Sequence, residues 1–362
     1  MATWDPANYY FSGQGTVLIG ERTAAGKPAG LVPVGNVSDL KIAISTSVLE
    51  HKESYTGSRG IDLRLTQETK ATLSATLESF NAYNLALALR GDTSARGAGT
   101  ATTEPLTVWY GKVLPLAYPN LTAAPSAVRQ GTQALVAYVN DSTAWDYKYN
   151  AAAGSIQFND GQNGNAAASA LATTANAGAT ALSTPFASSA VSGGVAQLTL
   201  TFATAPGSAA DIGKKCMVQV LTGTDAALIN GRAWTIVART ATTLVLDISG
   251  AKGNQAVTVT GAASSFAAIE GGAGDITYTY GASTLVNALS VGEQSRWLRF
   301  EGLNTADSNN LVVVDIFKFT VDPLKELALI SEGLGQIVLE GNVLADPLQT
   351  TGSKFFKMAQ IR

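Results

Sequence analysis

The most regular feature of the chain is a period-two alternation of apolar and polar residues from position 61 to position 79. Ile61, Leu63 and Leu65 begin the apolar series, and Leu73 and Leu77 continue it. Because successive side chains of a strand point to opposite faces, this pattern predicts two long β-strands with one packed and one solvated face. The polar series of these strands consists of Asp62, Arg64, Thr66, Glu68, Lys70 and Glu78.

A short apolar helix is predicted directly after these strands. Asn81 is a good N-cap, and the apolar positions include Leu85 and Leu89. Arg90 is expected to end the helix, with Gly91 at the C′ position. Since most of its circumference is apolar, the helix should be covered by the sheet or by a neighbouring subunit.

Composition divides the chain into three segments, 1–160, 161–268 and 269–362. The first and third contain strand-like runs such as GTVLIGE, SDLKIAIS and NLVVVDIFKFTV, punctuated by turn residues. Residues 161–184 have no charge and read as a connector, followed by short alternating strands. Only three acidic and five basic residues occur in 161–268. We therefore predict one core domain interrupted at a hairpin tip by a small inserted β-domain.

The overall composition is that of a folded protein with a neutral surface. The chain is 46% hydrophobic but only 14% charged, against about 25% in an average globular chain. A net charge of −3 argues against tight nucleic-acid binding, which requires Lys and Arg. No secretory signal or run of 18 apolar residues is apparent, so we expect synthesis and assembly in a cytoplasm.

The residues needed for catalysis or metal binding are scarce. His51 is the only histidine and lies among charged residues, which makes a catalytic triad improbable. Cys216 is the only cysteine and is predicted to be a small core residue. Glu50 and Glu53 resemble a glycosidase pair only in residue type. We therefore expect a protein that is not an enzyme and has no cofactor.

Two glycine-rich stretches also fail as ligand sites. The loop GERTAAGKP has one residue too many between Gly20 and Gly26 for a P-loop, and Pro28 stands where Ser or Thr should hold magnesium. Residues 159–165, NDGQNGN, lack the closing Glu of a calcium-binding EF-hand loop. We read the first as a turn and the second as a flexible turn without metal.

Trp145, Tyr147 and Tyr149 share one face of a predicted strand. Such aromatic residues can stack on a sugar, although a core or interface role is the more usual one. They define the alternative function, a two-domain β-protein that uses this face to bind carbohydrate.

The run SVLEHKESYTGSRGIDLRLTQETKATLSATLESFNAYNLALALRG, residues 47–91, resembles the corresponding part of major tail tube proteins of long-tailed, siphovirus-type bacteriophages. The order of parts is similar: strand, charged loop, two alternating strands, Asn cap, short helix and glycine. Residues 297–347 and the opening YYFSGQGTVLIGE are similar to other parts of the same family. The resemblance covers most of the core but not the insert.

This resemblance implies a structural role. Subunits of that family form hexameric rings that share an inner β-barrel, and the rings stack into a tube around a tape measure protein. A tail terminator and a tail tip or baseplate complete the tail, and DNA leaves through the lumen. By this resemblance the chain belongs in the virion tail, and DNA passes it without tight binding.

The expected fold is mainly β: a tail-tube β-barrel or sandwich core with one short α-helix, plus an inserted immunoglobulin-like or similar small β-sandwich facing outward. The polar series from Asp62 to Glu78 is predicted to face the lumen. The loop from Ser47 to Gly60 is predicted to reach an adjacent ring, and its candidate contact residues are Glu50, His51, Lys52, Glu53, Tyr55 and Arg59.

Overall fold

A computed structural model describes residues 10–361, except residues 56, 132, 163–179, 183–186 and 262–263. It is mainly β, with 52% strand and 4% helix, which confirms the predicted fold class. The described elements in chain order are β1 (Gly13–Arg22), β2 (Pro28–Pro33), β3 (Val37–Lys52), β4 (Ile61–Leu77), α1 (Ala82–Ala88), β5 (Asp92–Arg96), β6 (Gly99–Val108), β7 (Val113–Pro115), β8 (Ala127–Gln130), β9 (Gln133–Ala134), β10 (Tyr147–Asn150), β11 (Ser155–Phe158), β12 (Thr180–Ala181), β13 (Ala187–Ser192), β14 (Val195–Thr201), a 3-10 turn (Ala209–Asp211), β15 (Lys215–Gln219), α2 (Ala226–Ile229), β16 (Arg232–Arg239), β17 (Thr243–Asp247), β18 (Phe266–Ile269), β19 (Gly272–Tyr280), β20 (Ser283–Asn287), β21 (Ser295–Asn304), β22 (Asn310–Val321), β23 (Ile337–Val343) and β24 (Phe356–Ile361).

The chain folds into two compact units. Unit 1 consists of Met1–Arg96 and Thr284–Arg362, and unit 2 of Gly97–Ser283. The interruption is therefore wider than the predicted insert, 161–268. The reason is strand pairing across the low-charge segment. Strand β19 follows that segment and pairs with β6 and β8, which precede it, so all three strands belong to the inserted unit. The chain leaves and re-enters unit 1 through a two-stranded sheet of β5 and β20.

Unit 1 is built on one antiparallel sheet with the strand order β2-β1-β21-β22-β23-β4-β3. β22 changes partner along its length: residues 311–316 pair with β24, and residues 319–321 pair with β23. Alternating residues of β1, β4, β22 and β23 supply the core of this unit. The buried core residues are Val17, Ile19, Val34, Ala71, Leu73, Ala75, Leu77, Leu87, Ala88, Leu298, Ile316, Phe319, Val321, Ile337, Leu339 and Val343.

Helix α1 packs on this core as the apolar pattern predicted. Asn81 is its N-cap, and the Asn81 side chain accepts a hydrogen bond from the Asn84 backbone N–H at 2.8 Å. The predicted C-terminus differs in detail, because Arg90 has a positive φ of 47° and occupies the left-handed position expected for glycine. Gly91 is required for another reason: a Cβ there would lie 2.0 Å from the Asn287 carbonyl oxygen.

Unit 2 contains a seven-stranded antiparallel sheet in the order β12-β18-β15-β16-β17-β14-β13, together with sheets of four and three strands. Cys216 lies in the core of the large sheet, where burial raises the pKa of its thiol to about 12. The thiolate is the reactive form of cysteine, so this thiol is inert at neutral pH. The run QALVAYV, residues 133–139, has the composition of a strand, but only Gln133 and Ala134 are in strand conformation.

A buried ion pair connects the segment after β23 to the end of β1. An Arg22 Nη2–H donates to Asp346 Oδ1 at 2.5 Å, and Asp346 also accepts hydrogen bonds from the Leu348 backbone and the Gln349 side chain. Burial raises the pKa of Asp346, but these donors outweigh that effect and lower the pKa to about 2. Asp346 therefore stays ionised inside unit 1.

We expect Asp346→Asn to lower the free energy of unfolding of unit 1 at pH 7 by about 3 kcal/mol, because Arg22 keeps a buried charge without its counter-ion. Since the folded pKa is below the unfolded value of about 3.9, this stabilisation is present above pH 4 and is lost as the pH falls towards about 2. Calorimetric unfolding across this range measures both effects.

The matched control is Lys325→Ala, which breaks an exposed ion pair with Glu340 and should cost much less. An Asp346→Asn variant as stable as the wild type at pH 7 would contradict the assigned role of the buried pair.

Candidate assembly surface

The outer half of the β3–β4 hairpin is exposed on both faces. We call residues 44–52 and 61–70, with the loop 53–60, the arm. Every residue of β4 from 61 to 70 is exposed, whereas residues 71–77 alternate between buried and half-buried. The predicted packed face therefore exists only in the inner half of β4.

Five aliphatic side chains of the arm are left in solvent. The exposed fractions are 60% for Ile44, 52% for Leu49, 54% for Ile61 and 50% for both Leu63 and Leu65. Leu49 and Leu65 are paired neighbours, with Leu63 two residues further along the strand, and exposed apolar surface of this kind marks an interaction site. The arm is consequently the strongest candidate for a contact surface in unit 1.

The loop predicted from Ser47 to Gly60 is shorter in the structure. Strand pairing continues to Lys52 and Ile61, so Glu50, His51 and Lys52 belong to β3. The prediction of a loop at these three residues was wrong, because their backbones pair with β4 despite their charge. Glu53, Tyr55 and Arg59 remain in the loop 53–60.

The loop 53–60 is closed at its base. The Glu53 N–H donates to the Gly60 carbonyl at 2.9 Å, and the Ser58 hydroxyl donates to the Glu53 carboxylate at 2.6 Å. Arg59 has a positive φ of 51°. Tyr55 is 90% exposed at the tip, where its ring is available to a partner.

A β-bulge at Gln67 exchanges the faces of β4. Ser47 pairs with Glu68 and Val48 with Thr66, so Gln67 is an extra residue on β4, while β3 alternates without interruption. A shift of one residue moves every following side chain to the other face. Glu68 and Lys70 therefore share a face with Leu65 and Leu63, and Thr66 and Arg64 lie on the opposite face.

The predicted lumen-facing residues are thus not all on one face. Asp62 is the extra residue of a second bulge, since His51 pairs with Leu63 and Lys52 with Ile61. Glu78 lies beyond the end of β4 and accepts a hydrogen bond from the Asn36 side chain. Glu68 and Lys70 lie on one face of the hairpin, and Thr66 and Arg64 lie on the opposite face.

Charges on the arm are balanced within the hairpin. His51 Nδ1 is 2.6 Å from Asp62 Oδ1, and Arg64 Nε is 3.7 Å from Glu50 Oε1. Both pairs are solvent-exposed and contribute little stability. The Arg64–Glu50 pair and the equal numbers of other acidic and basic residues leave the outer arm nearly neutral.

A groove opens between β3 and the opposite part of the unit 1 sheet. It has a volume of about 700 Å³ and is lined by residues of β1, β21, β22 and β3, including Val17, Leu40, Ile42, Phe300 and Ile316. β3 lies at the end of the strand order and has β4 as its neighbour on one side. An edge strand beside an open groove can accept a further strand.

The sugar-stacking face considered for the alternative function is not formed. Trp145 is 2% exposed and Tyr147 4% exposed, and Tyr147 belongs to a core cluster of unit 2. Tyr149, at 37%, is the exposed member of the three. Trp145 and Tyr147 thus pack inside unit 2, and a stacking face of all three aromatic side chains is absent.

The described ranges contain neither a cluster of metal ligands nor a membrane-spanning helix. No group of three or more His, Cys, Asp or Glu side chains is placed there to hold a metal ion. None of the helices in the same ranges is both long enough and apolar enough to cross a membrane.

Comparison with known proteins identifies a family but no named relative. No curated protein matches the chain. A family described as "Protein of unknown function UCP028589" matches residues 10–192 and 187–359, which together span both units. The chain belongs to this family of proteins of unknown function, UCP028589.

Proposed function

We propose that this protein is a structural, non-enzymatic subunit of a bacteriophage tail tube. Copies form hexameric rings that stack into a tube, and the lumen of the tube conducts viral DNA to the host during ejection. Tape measure, tail terminator and tail tip or baseplate proteins are its expected partners. The proposal rests on two supports. One is the resemblance of residues 47–91 to tail tube proteins, and the other is the geometry of unit 1.

The observation that carries the proposal is the arm. Its five exposed aliphatic side chains contribute nothing to the core of their own chain, since that core ends at Ala71 on β4. Burying apolar surface is worth about 25 cal/mol per Å², so an arm covered by neighbouring copies provides a driving force for assembly. A tube subunit needs such surface on several sides.

The free edge of β3 supports the same function. A long edge strand invites uncontrolled pairing unless another chain covers it. Closure of a barrel across subunits removes that edge and covers the groove beside it. Head-to-tail stacking of such rings then gives a filament, because heterologous contacts do not close on themselves.

A DNA-conducting lumen also needs a surface that does not hold phosphates. Unbalanced inward-facing Lys or Arg would bind the DNA backbone through counterion release. On the arm, Arg64 lies opposite Glu50, and Lys70 shares a face with Glu68. This near-balance of charge on the arm is compatible with passage of DNA without tight binding.

The alternative, a virion decoration or adhesion β-protein that binds host-surface carbohydrate, has less support. Of the three residues of its expected contact face, Trp145 and Tyr147 are buried, and Tyr149 is exposed at 37%. The arm has no role in that function.

We expect the purified protein to form rings or tubes with a central channel, visible by negative-stain electron microscopy, and Leu63→Asp with Leu65→Asp to abolish them. Both side chains are half exposed in the single chain, so the monomer should keep its melting temperature within about 2 °C.

The matched variant is Leu73→Ala. Leu73 lies in the same strand but is only 2% exposed, so this substitution should lower the free energy of unfolding by about 3 kcal/mol. Tubes from the double Asp variant indistinguishable from wild-type tubes would refute the role of the arm. A wild-type protein that stays monomeric at high concentration, and binds glycans on an array, would favour the alternative.

Unit 1 should fold and assemble without unit 2. β5 and β20 are hydrogen-bonded neighbours, so their backbones are about 4.8 Å apart at the point where the chain leaves unit 1. We expect a variant in which an Asn-Gly turn replaces residues 98–282 to form tubes of smaller outer diameter with an unchanged channel.

Electron microscopy and circular dichroism of this shortened variant provide the measurement. A folded unit 1 that no longer assembles would show that unit 2 makes essential contacts, contrary to the proposed outward display of the insert.

A further inference from the structure

Unit 2 holds a lysine and an aspartate in direct contact between two of its sheets. Lys215 begins β15 of the seven-stranded sheet, and Asp160 lies two residues after β11 of the three-stranded sheet. Lys215 Nζ is 2.5 Å from Asp160 Oδ2. The Asp160 side chain is 6% exposed and the Lys215 side chain 30% exposed, so the carboxylate in particular is withdrawn from solvent.

The Asp160 carboxylate is held in a fixed orientation. The Asp160 carbonyl accepts a hydrogen bond from the Ala233 N–H at 2.7 Å, and Asp160 Oδ1 accepts one from the Gln162 N–H at 3.0 Å. The other oxygen, Oδ2, faces Lys215. Because both groups are already in place, the entropy cost of bringing amine and carboxylate together has been met by folding.

Gly111 lies directly against both members of the pair. A Cβ at this position would be 2.7 Å from Asp160 Oδ2 and 3.2 Å from Lys215 Nζ. Gly111 has a positive φ of 74°, and its N–H donates to the Phe158 carbonyl at 2.8 Å. The backbone of this turn therefore closes over the pair at a distance that only glycine allows.

A second buried carboxylate lies beside the pair. Glu270 is opposite Lys215: the Glu270 N–H donates to the Lys215 carbonyl at 2.9 Å, and the Lys215 N–H donates to Glu270 Oε1 at 3.0 Å. Lys112 Nζ is 3.7 Å from the same Oε1. The Glu270 side chain is 3% exposed, and its Oε2 is buried without a hydrogen-bond partner among the described residues. A buried carboxylate oxygen without a donor requires an explanation.

The amine and the carboxyl carbon are close enough to react. Since a carboxyl C–O bond is about 1.2 Å long, an Nζ–Oδ2 distance of 2.5 Å places Lys215 Nζ within about 3.7 Å of Asp160 Cγ. Productive conformers hold their reacting atoms about 3–3.5 Å apart. An ion pair alone accounts for the contact but leaves the unpaired Glu270 oxygen unexplained.

We propose that Lys215 and Asp160 form an intramolecular amide bond. The new bond joins Lys215 Nζ to Asp160 Cγ, and the bond between Cγ and Oδ2 breaks. The protonated amine and the carboxylate together have the same atoms and charge as the amide plus one water, so no further reactant is needed. The amide links two sheets of unit 2 covalently.

Glu270 supplies the proton acceptor that this step requires, because an amine attacks only after it loses a proton. Side chains directly opposite one another on paired strands have Cβ atoms about 4.5–5.5 Å apart, so the Glu270 carboxylate is within reach of the amine. Two of the three amine protons end on Oδ2, which leaves as water, and Glu270 returns to its starting state. The Gln162 N–H stabilises the negative charge that develops on Oδ1.

Intact-mass measurement tests the bond. Wild-type protein should have a mass about 18 Da below that of its sequence, because one water is lost, and digestion should give a branched peptide that joins Lys215 to Asp160. Lys215→Arg should have the full mass of its own sequence, since a guanidinium keeps the ion pair but stays protonated. The matched control is Lys252→Arg, which changes another Lys–Asp pair, with Asp225 at 2.8 Å, and should leave the mass loss in place.

A second measurement addresses Glu270. In freshly synthesised protein, Glu270→Gln should slow formation of the branched peptide at least about tenfold relative to wild type, because the amide side chain accepts no proton. An unchanged rate overturns the assigned role of Glu270.

Two results overturn the bond itself. One is wild-type protein with the full mass of its sequence. The other is a mass loss confined to a linear peptide, because Asp160 precedes Gly161 and can instead cyclise on its own backbone to a succinimide. The bond lies wholly within unit 2 and does not depend on tube assembly, so its failure and the failure of the proposed function are separate results.

Discussion

The antiparallel pairing of β3 with β4 is the interaction on which the rest of unit 1 depends. Its inner half places Leu73, Ala75 and Leu77 in the core, where β23 and helix α1 pack. Its outer half extends the same hydrogen-bonded ladder beyond that core. One pair of strands thus both completes the fold and carries apolar side chains beyond the core of unit 1.

Much of this architecture was predictable from local pattern. The period-two alternation of residues 61–79 predicted strand, and the Asn81 cap predicted helix α1, because both signals depend on neighbouring residues. The exposure of Leu63 and Leu65 was not predictable, since alternation is identical in a strand that packs in its own core and in one that packs elsewhere. No residue type marks the bulge at Gln67, so the change of face in β4 was not predictable from the sequence either.

The extent of unit 2 was missed for a different reason. Composition changes near residue 161, but β6 and β8 before that point pair with β19 after it. Such pairing joins residues far apart in sequence, and charge content carries no information about it. The buried Arg22–Asp346 pair is similar, because two ordinary charged residues separated by most of the chain become partners only in the folded unit.

The bulges at Gln67 and Asp62 divide the apolar side chains of the outer arm between two faces. Leu49, Leu63 and Leu65 lie on one face, and Ile44, Val48 and Ile61 lie on the other. In the proposed tube, a neighbour that covers one face leaves the apolar side chains of the other face in solvent. A subunit of such a tube would therefore complete its apolar burial only when it has partners on both sides of the arm.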